Sequence, residues 1–347
     1  MSPPRLAPLL CLALTTANVL AQGHCLRFYG TGTGDIDRLK IPVQPDNPLN
    51  LAGSFTIEFW MRTAPADNAP VFGDPTSEDG WTLGHIIVDR DVFGTDVPDY
   101  GISLFNGGIS FGVRTNAGQR TIYSSDLALE DNTWHHIAAV RDTAAAQLRL
   151  YVNGTLRATA NSAPAGSVAY PPLRPPSPWP NDAFIVIAAE KHDYDPPNYP
   201  SYAGQLDEIR FSNAVRYTTD FFPRMHPHLS DASTVGLFHL DENGPSTPAD
   251  YTVLNTAGLP NATRRVGGLS PFIGPVYLTD TPTPALGDLD NSGSVNSLDL
   301  AVQLAALGLT GPRLPADLAH ASLPSSPTPD GLVDSADTHA LLNRLGL

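Results

Sequence analysis

Between Asp288 and Asp299 the chain reads Asp-Leu-Asp-Asn-Ser-Gly-Ser-Val-Asn-Ser-Leu-Asp, so side-chain oxygens recur at loop positions 1, 3, 5, 9 and 12. They belong to Asp288, Asp290, Ser292, Asn296 and Asp299, while Ser294 at position 7 offers its backbone carbonyl. Hard oxygen donors at this spacing suit Ca2+, and Gly293 stands at position 6, where such a loop must turn sharply. A second, damaged copy follows. Asp330-Gly331-Leu-Val-Asp334-Ser-Ala-Asp337 reproduces positions 5 to 12, and Asp317 is a candidate for its first ligand, 14 positions before Gly331 where the first copy has 5. The first loop is expected to be the strong calcium site and the second the weaker one.

A third set of acids lies far upstream. Asp89 and Asp91 follow the apolar run ending at Val88, and Glu190 and Asp193 follow the one ending at Ala189. If those two loops meet at a rim of the fold, the four carboxylates bind calcium or a polar ligand; if they do not, they are separate solvated loops. Period-two alternation places Asp207 on the side of Ile209 and Phe211, facing inward, where a carboxylate needs hydrogen bonds or a cation. His135 and His136 are consecutive in a strand and diverge, which points to structural roles and not to a chelating pair.

The same residues argue against hydrolysis. A retaining glycosidase needs two carboxylates about 5 Å apart across the scissile bond. Asp207 and Glu208 are neighbours on a strand and point to opposite faces, Glu58 stands alone, and no Gly-x-Ser-x-Gly nucleophile motif occurs.

Short strands must position these groups. In residues 54–63, Phe55, Ile57, Phe59 and Met61 form a core face, while Thr56, Glu58, Trp60 and Arg62 form either a solvated face or a sugar-stacking platform. Residues 134–154 read as a hairpin with Leu148, Leu150 and Val152 inward. A second hairpin, 100–106 with 109–114, turns at Gly107-Gly108. Residues 161–182 form a Pro-rich surface loop, and the continuous apolar run 184–189 reads as a strand buried on both faces. With 34 prolines and 29 glycines set between short apolar runs in 347 residues, the class is all-β.

Residues 1–21 read as a signal peptide, with Arg5 in the n-region, Leu6 to Leu14 as the apolar core, and cleavage before Gln22. That run is too short to span a bilayer, so the protein is expected to be secreted or at the cell surface without a transmembrane anchor. The net charge of −15 repels nucleic-acid backbones and suits calcium. Cys11 leaves with the signal peptide, so Cys25 has no internal partner and is expected to be a small core residue.

Ser-Phe-Thr-Ile-Glu-Phe-Trp, Trp-His-His-Ile-Ala-Ala-Val-Arg-Asp, Leu-Arg-Leu-Tyr-Val-Asn-Gly and Gly-Gln-Leu-Asp-Glu-Ile-Arg, in that order, resemble the laminin-G-like, concanavalin A-like jelly-roll family over roughly residues 24–275. The resemblance implies two packed antiparallel sheets, often with calcium at a rim, in a fold that hosts lectins, adhesion modules and glycosidases. The Glu-x-Asp-x-x-Glu pattern of its glucanases is absent. Downstream, Asp at loop position 12, Val at 8 and Asn at 9, followed by a helix carrying Leu300, Val302, Leu304 and Leu307, resemble a type I dockerin repeat and not a paired EF-hand. That implies a cohesin-type partner recognised through Ser297 and Leu298 in the first repeat and Ser335 and Ala336 in the second. The resulting organisation is a signal peptide at 1–21, an all-β jelly-roll sandwich at 22–275, a Pro/Thr linker at 276–286 and a small all-α dockerin-like domain at 287–347. Its expected function is non-catalytic binding or adhesion to a carbohydrate or glycoconjugate. A polysaccharide-acting enzyme of the same fold and a purely structural cell-surface protein are the alternatives.

Overall fold

Along Phe55–Arg62 every second side chain, Phe55, Ile57, Phe59 and Met61, enters the core, and the period repeats at Leu148, Leu150 and Val152 of Gln147–Val152. A pleated strand imposes that period and so has one apolar face to bury. The computed structural model describes residues 23–43, 46–92, 98–170, 183–223, 227–242, 247–282, 297–307 and 338, and joins these faces into two eight-stranded antiparallel sheets. The first runs through Thr155–Ala160, Gln147–Val152, His135–Asp142, Phe55–Arg62, Gly204–Ser212, Cys25–Phe28 and Val276–Leu278, with Thr234–Phe238 also paired to Gly204–Ser212. The second runs through Tyr251–Val253, Ala262–Arg265, Arg38–Pro42, Phe184–Ile187, His85–Asp89, Asp99–Phe105, Gly108–Thr115 and Gly118–Tyr123.

One apolar cluster draws on both sheets, as in a sandwich. Phe55 of the first sheet meets Tyr100 and Phe111 of the second, with ring centroids 5.1 and 6.1 Å apart. Each large apolar side chain fully buried this way contributes about 1.5–3 kcal/mol, so the sandwich has a source of stability other than disulfides. Cys25 is buried, but its Sγ turns away from this cluster to lie 3.1 Å from the Asp280 carbonyl oxygen. Burial, reinforced by Asp207, pushes its thiol well up, and an undissociated buried thiol is a poor nucleophile.

The structure departs from the sequence reading in five places. The second hairpin turns at Asn106-Gly107, both with positive φ (45° and 82°), because a two-residue turn of that hand matches strand twist. Val276–Leu278, assigned above to the linker, is a strand paired with Cys25–Phe28. Thr155–Ala160 pairs with Gln147–Val152 around Asn153-Gly154, adding a strand beyond the expected hairpin. Asp207 does not face the core. A bulge at Asp207–Glu208, with Glu208 at φ 51°, lets Leu206 and Ile209 both point inward, so Asp207 emerges opposite Trp60 on the outer face. It is nevertheless buried, and its carboxylate accepts from Glu208 N and Thr281 Oγ1.

The fifth departure concerns that outer face. Thr56, Glu58 and Trp60 are buried and not solvated, because the segment after Ser212 folds back over them. Val215, Tyr217 and Phe221 pack on Ala138, Val140 and Tyr151, and Thr56 Oγ1 donates to Ala214 O at 2.8 Å. Beyond the sandwich, Ser297–Ala306 is a helix, at the place where the sequence reading expects one. Residues 1–21, expected to be a signal peptide, lie outside the described residues, as do residues 288, 290, 292, 294 and 296 of the first expected calcium loop and residues 317, 330, 334, 335, 336 and 337 of the second.

Candidate functional site

Gly101 and Gly112 are cross-strand partners, and together they leave a flat patch on the outer face of the second sheet. The short helical turn Gly80–Leu83 lays Trp81 on it. A Cβ at Gly101 or at Gly112 would stand 1.9 or 2.0 Å from indole ring atoms. Glycine weakens a strand interior, so two opposed glycines mark a place where another group must come close. Ser103 Oγ donates to the Trp81 carbonyl at 2.5 Å and fastens the turn from the same face.

Asp89 pairs with Gly101 and shares that face. Its Oδ1 accepts from Asp91 N at 2.7 Å and its Oδ2 from Lys191 N at 2.9 Å, which sets the loops after His85–Asp89 and Phe184–Ile187 side by side. Glu190 then shapes the second loop from within, Oε1 accepting from His192 N at 3.0 Å and Oε2 from Tyr194 N at 2.6 Å. The bends present Tyr194 and Tyr199 with ring centroids 6.0 Å apart. Trp81, Ile86, Asp91, Glu190 and both tyrosines thus surround a small, open-sided pocket of about 140 Å³, smaller than the sites that enclose a whole drug-sized ligand.

Three of the four acids proposed from the sequence therefore come together: Asp89, Asp91 and Glu190. Asp193 does not join them. It pairs with the buried Arg38 and accepts from Asp35 N at 2.8 Å, in a neighbouring corner. The meeting place is the outer face of one sheet at the ends of its strands, with Trp81 as a floor that the sequence reading did not anticipate.

Burial, with repulsion from Asp91 and Glu190, pushes the Asp89 carboxyl up to about 7 despite Lys191. Asp99, whose Oδ2 lies 2.5 Å from Arg114, is likewise pushed up to about 7, by burial and then by Asp91. Such a carboxyl is a candidate general acid only if it reaches a substrate. Asp89 is 1% exposed and both its oxygens hold backbone N–H groups, so its role in this geometry is to tie the loops. The donor set around the pocket is all oxygen, which suits Ca2+ over a transition metal. Lys191, which donates to the Asp91 carbonyl, opposes a cation there.

The outer face of the first sheet holds a second polar cluster. His135 turns to Asp131 and Asn153, while His136 turns under the covering segment toward Glu58, as consecutive strand residues must. Glu58, read from sequence as solitary, is fully buried and accepts from Arg210 Nε at 2.8 Å and Tyr217 Oη at 2.7 Å, with His228 nearby. Burial alone would raise its carboxyl, but His228, Arg210 and His136 hold it well below the usual carboxylate range.

Comparison with curated proteins gives no sequence match. Among solved structures, a candidate carbohydrate-binding protein from Bacteroides ovatus aligns at 14% identity and a TM-score of 0.48, covering 75% of this chain and 61% of that one. This chain thus spans less than two thirds of that protein. A heptameric SAP-like pentraxin from Limulus polyphemus aligns at 13% identity, TM-score 0.36, covering 57% of this chain and 79% of its own. Domains LG4-5 of the mouse laminin alpha1 chain align at 14% identity, TM-score 0.35, covering 58% of this chain and 47% of that one. The family model Laminin_G_3 matches residues 34–220, more than half of the 347 residues and most of both sheets, and the chain belongs to the concanavalin A-like lectin/glucanases superfamily.

Proposed function

We propose that the sandwich binds a carbohydrate or glycoconjugate in the Trp81–Tyr194–Tyr199 pocket, and that a calcium-dependent dockerin-like tail attaches it to a cohesin-type partner outside the cell. The observation that carries the first part is the pocket's composition. Aromatic walls match the apolar C–H face of a sugar ring, and the carboxylate of Asp91 accepts from hydroxyls. Asp89 and Glu190 act one step back, shaping the loops that hold the rings.

Tyr194 is 59% exposed, so its removal touches the ligand more than the fold. Tyr194→Ala should weaken retention on soluble polysaccharides by about tenfold, roughly 1.4 kcal/mol, with an unchanged melting temperature. Affinity electrophoresis across a polysaccharide panel reads this. Failure of every polysaccharide to retard the wild type, or retardation indifferent to both Tyr194→Ala and Asp91→Asn, would sink the reading. Release of shortened product would favour the hydrolase alternative.

Calcium enters at two levels. At the pocket, crowded carboxylates gain from a divalent ion, and a calcium-dependent rise in melting temperature that Asp91→Asn removes would place one there. In the tail, the twelve-residue loop from Asp288 to Asp299 supports calcium-coupled helix formation, because an acidic loop repels itself without an ion. Chelation of the full chain should remove helical circular dichroism while the sandwich still melts cooperatively. Calcium-dependent capture of a surface protein, lost in Asp288→Ala, tests the attachment role. Recovery of the exported chain beginning at Gln22 tests export.

A further inference from the structure

The buried cluster on the first sheet is not used by the pocket, and its donor atoms have their own chemistry. Among the described residues, Glu58, His136 and His228 each bring one ligand atom to within 4.8 Å of the others. Glu58 Oε2 lies 3.3 Å from His136 Nε2 and 3.8 Å from His228 Nε2. A tetrahedral zinc ion with bonds of about 2.0–2.1 Å sets its donors about 3.3 Å apart. Glu58 and His136 already stand at that spacing, and His228 must close on both.

An independent observation comes from His136. It is fully buried, its Nδ1 has no hydrogen-bond partner, and its Nε2 has only the Glu58 Oε2 contact at 3.3 Å. Native structures rarely leave such a group unsatisfied, because its desolvation is then uncompensated. A metal bond to one nitrogen supplies the missing partner. The surroundings are those of held ligands: Arg210 takes Glu58 Oε1 at 2.7 Å through Nη2, Tyr217 donates to Oε2, and the His228 backbone N–H donates to Glu208 Oε2 at 2.6 Å. Outer hydrogen bonds of this kind fix the orientation of ligating groups. The Arg210 guanidinium holds the other carboxylate oxygen, Oε1, and Ca2+ or Mg2+ would need more oxygen ligands than this cluster supplies. Two imidazoles and a carboxylate instead form a zinc donor set.

The geometry points to a buried site for a zinc-type divalent ion, made by Glu58, His136 and His228, that pins the segment covering the first sheet to the strands beneath it. His228 brings the covering segment, and Glu58 and His136 bring adjacent strands, Phe55–Arg62 and His135–Asp142. All three are sealed from solvent, so the ion is taken up as the chain folds.

The test uses tag-free full-length protein refolded from denaturant with zinc chloride or with chelator, in excess calcium so that oxygen-rich loops are filled. After dialysis, elemental analysis should find one zinc per chain in the zinc-refolded sample, which should melt at a higher temperature. His136→Gln and His228→Gln should each weaken zinc retention by more than tenfold. X-ray absorption at the zinc edge of the wild type should report two imidazoles, a readout that needs no variant to fold. Zinc not retained, zinc retained equally by both variants, or an edge spectrum without imidazole would each overturn the site.

Discussion

Alanine at Gly112 should unseat Trp81 and empty the pocket of its floor. The added methyl would stand 2.0 Å from the indole, and at Gly101 1.9 Å, so the ring must leave or the strands must part. Overpacking of this kind costs about 1–3 kcal/mol, and sometimes more. For a domain of this size each kcal/mol lowers the melting temperature by roughly 2–4 °C. Polysaccharide retention should fall together with stability, whereas Tyr194→Ala should lower retention alone. The coupling identifies the cause: adding Trp81→Ala to Gly112→Ala should cost less than the two single changes summed, because the clash is then gone. Strictly additive losses, or retention surviving in Gly112→Ala, would show that Trp81 does not support the pocket.

The two glycines also show what was legible in the chain and what was not. Strand faces with regular alternation, Phe55 to Met61 and Leu148 to Val152, could be read directly, because burial on one face demands period two. Asn153-Gly154 is as strong a hairpin signal as any two residues carry, and it announced the strand Thr155–Ala160 that the reading stopped short of. Gly101 and Gly112 lie mid-strand, where glycine signals close approach, but nothing local says that Trp81, roughly twenty and thirty residues earlier, is what approaches. Asp207 was placed inward by an alternation that a bulge interrupts, and Leu-Asp-Glu-Ile permits either spacing. Asp89, Asp91 and Glu190 were found as a group because each follows an apolar strand. Asp193 was grouped with them by proximity in sequence, and Arg38, more than 150 residues earlier, draws it away.

Glu58 is the clearest case of a residue whose surroundings come from elsewhere in the chain, and its removal should have the larger energetic consequence. Its partners Arg210, Tyr217 and His228 follow about 150 or more residues later, so the strand alone could not distinguish a solvated acid from a buried one. In chelator-treated protein, Glu58→Ala leaves the Arg210 guanidinium nearly buried without its counter-charge and Tyr217 without its acceptor. Breaking a buried pair from one side costs about 3–5 kcal/mol, because the remaining charge stays desolvated. Replacing both partners, as in Glu58→Leu with Arg210→Met, removes the stranded charge and should recover most of that loss. Urea unfolding of the two variants beside the wild type measures the difference. A single-variant loss below about 1 kcal/mol, the scale of an exposed pair, would mean that water reaches Arg210. The segment after Ser212 would then not seal the first sheet, and a buried ion beneath it would lose its physical basis.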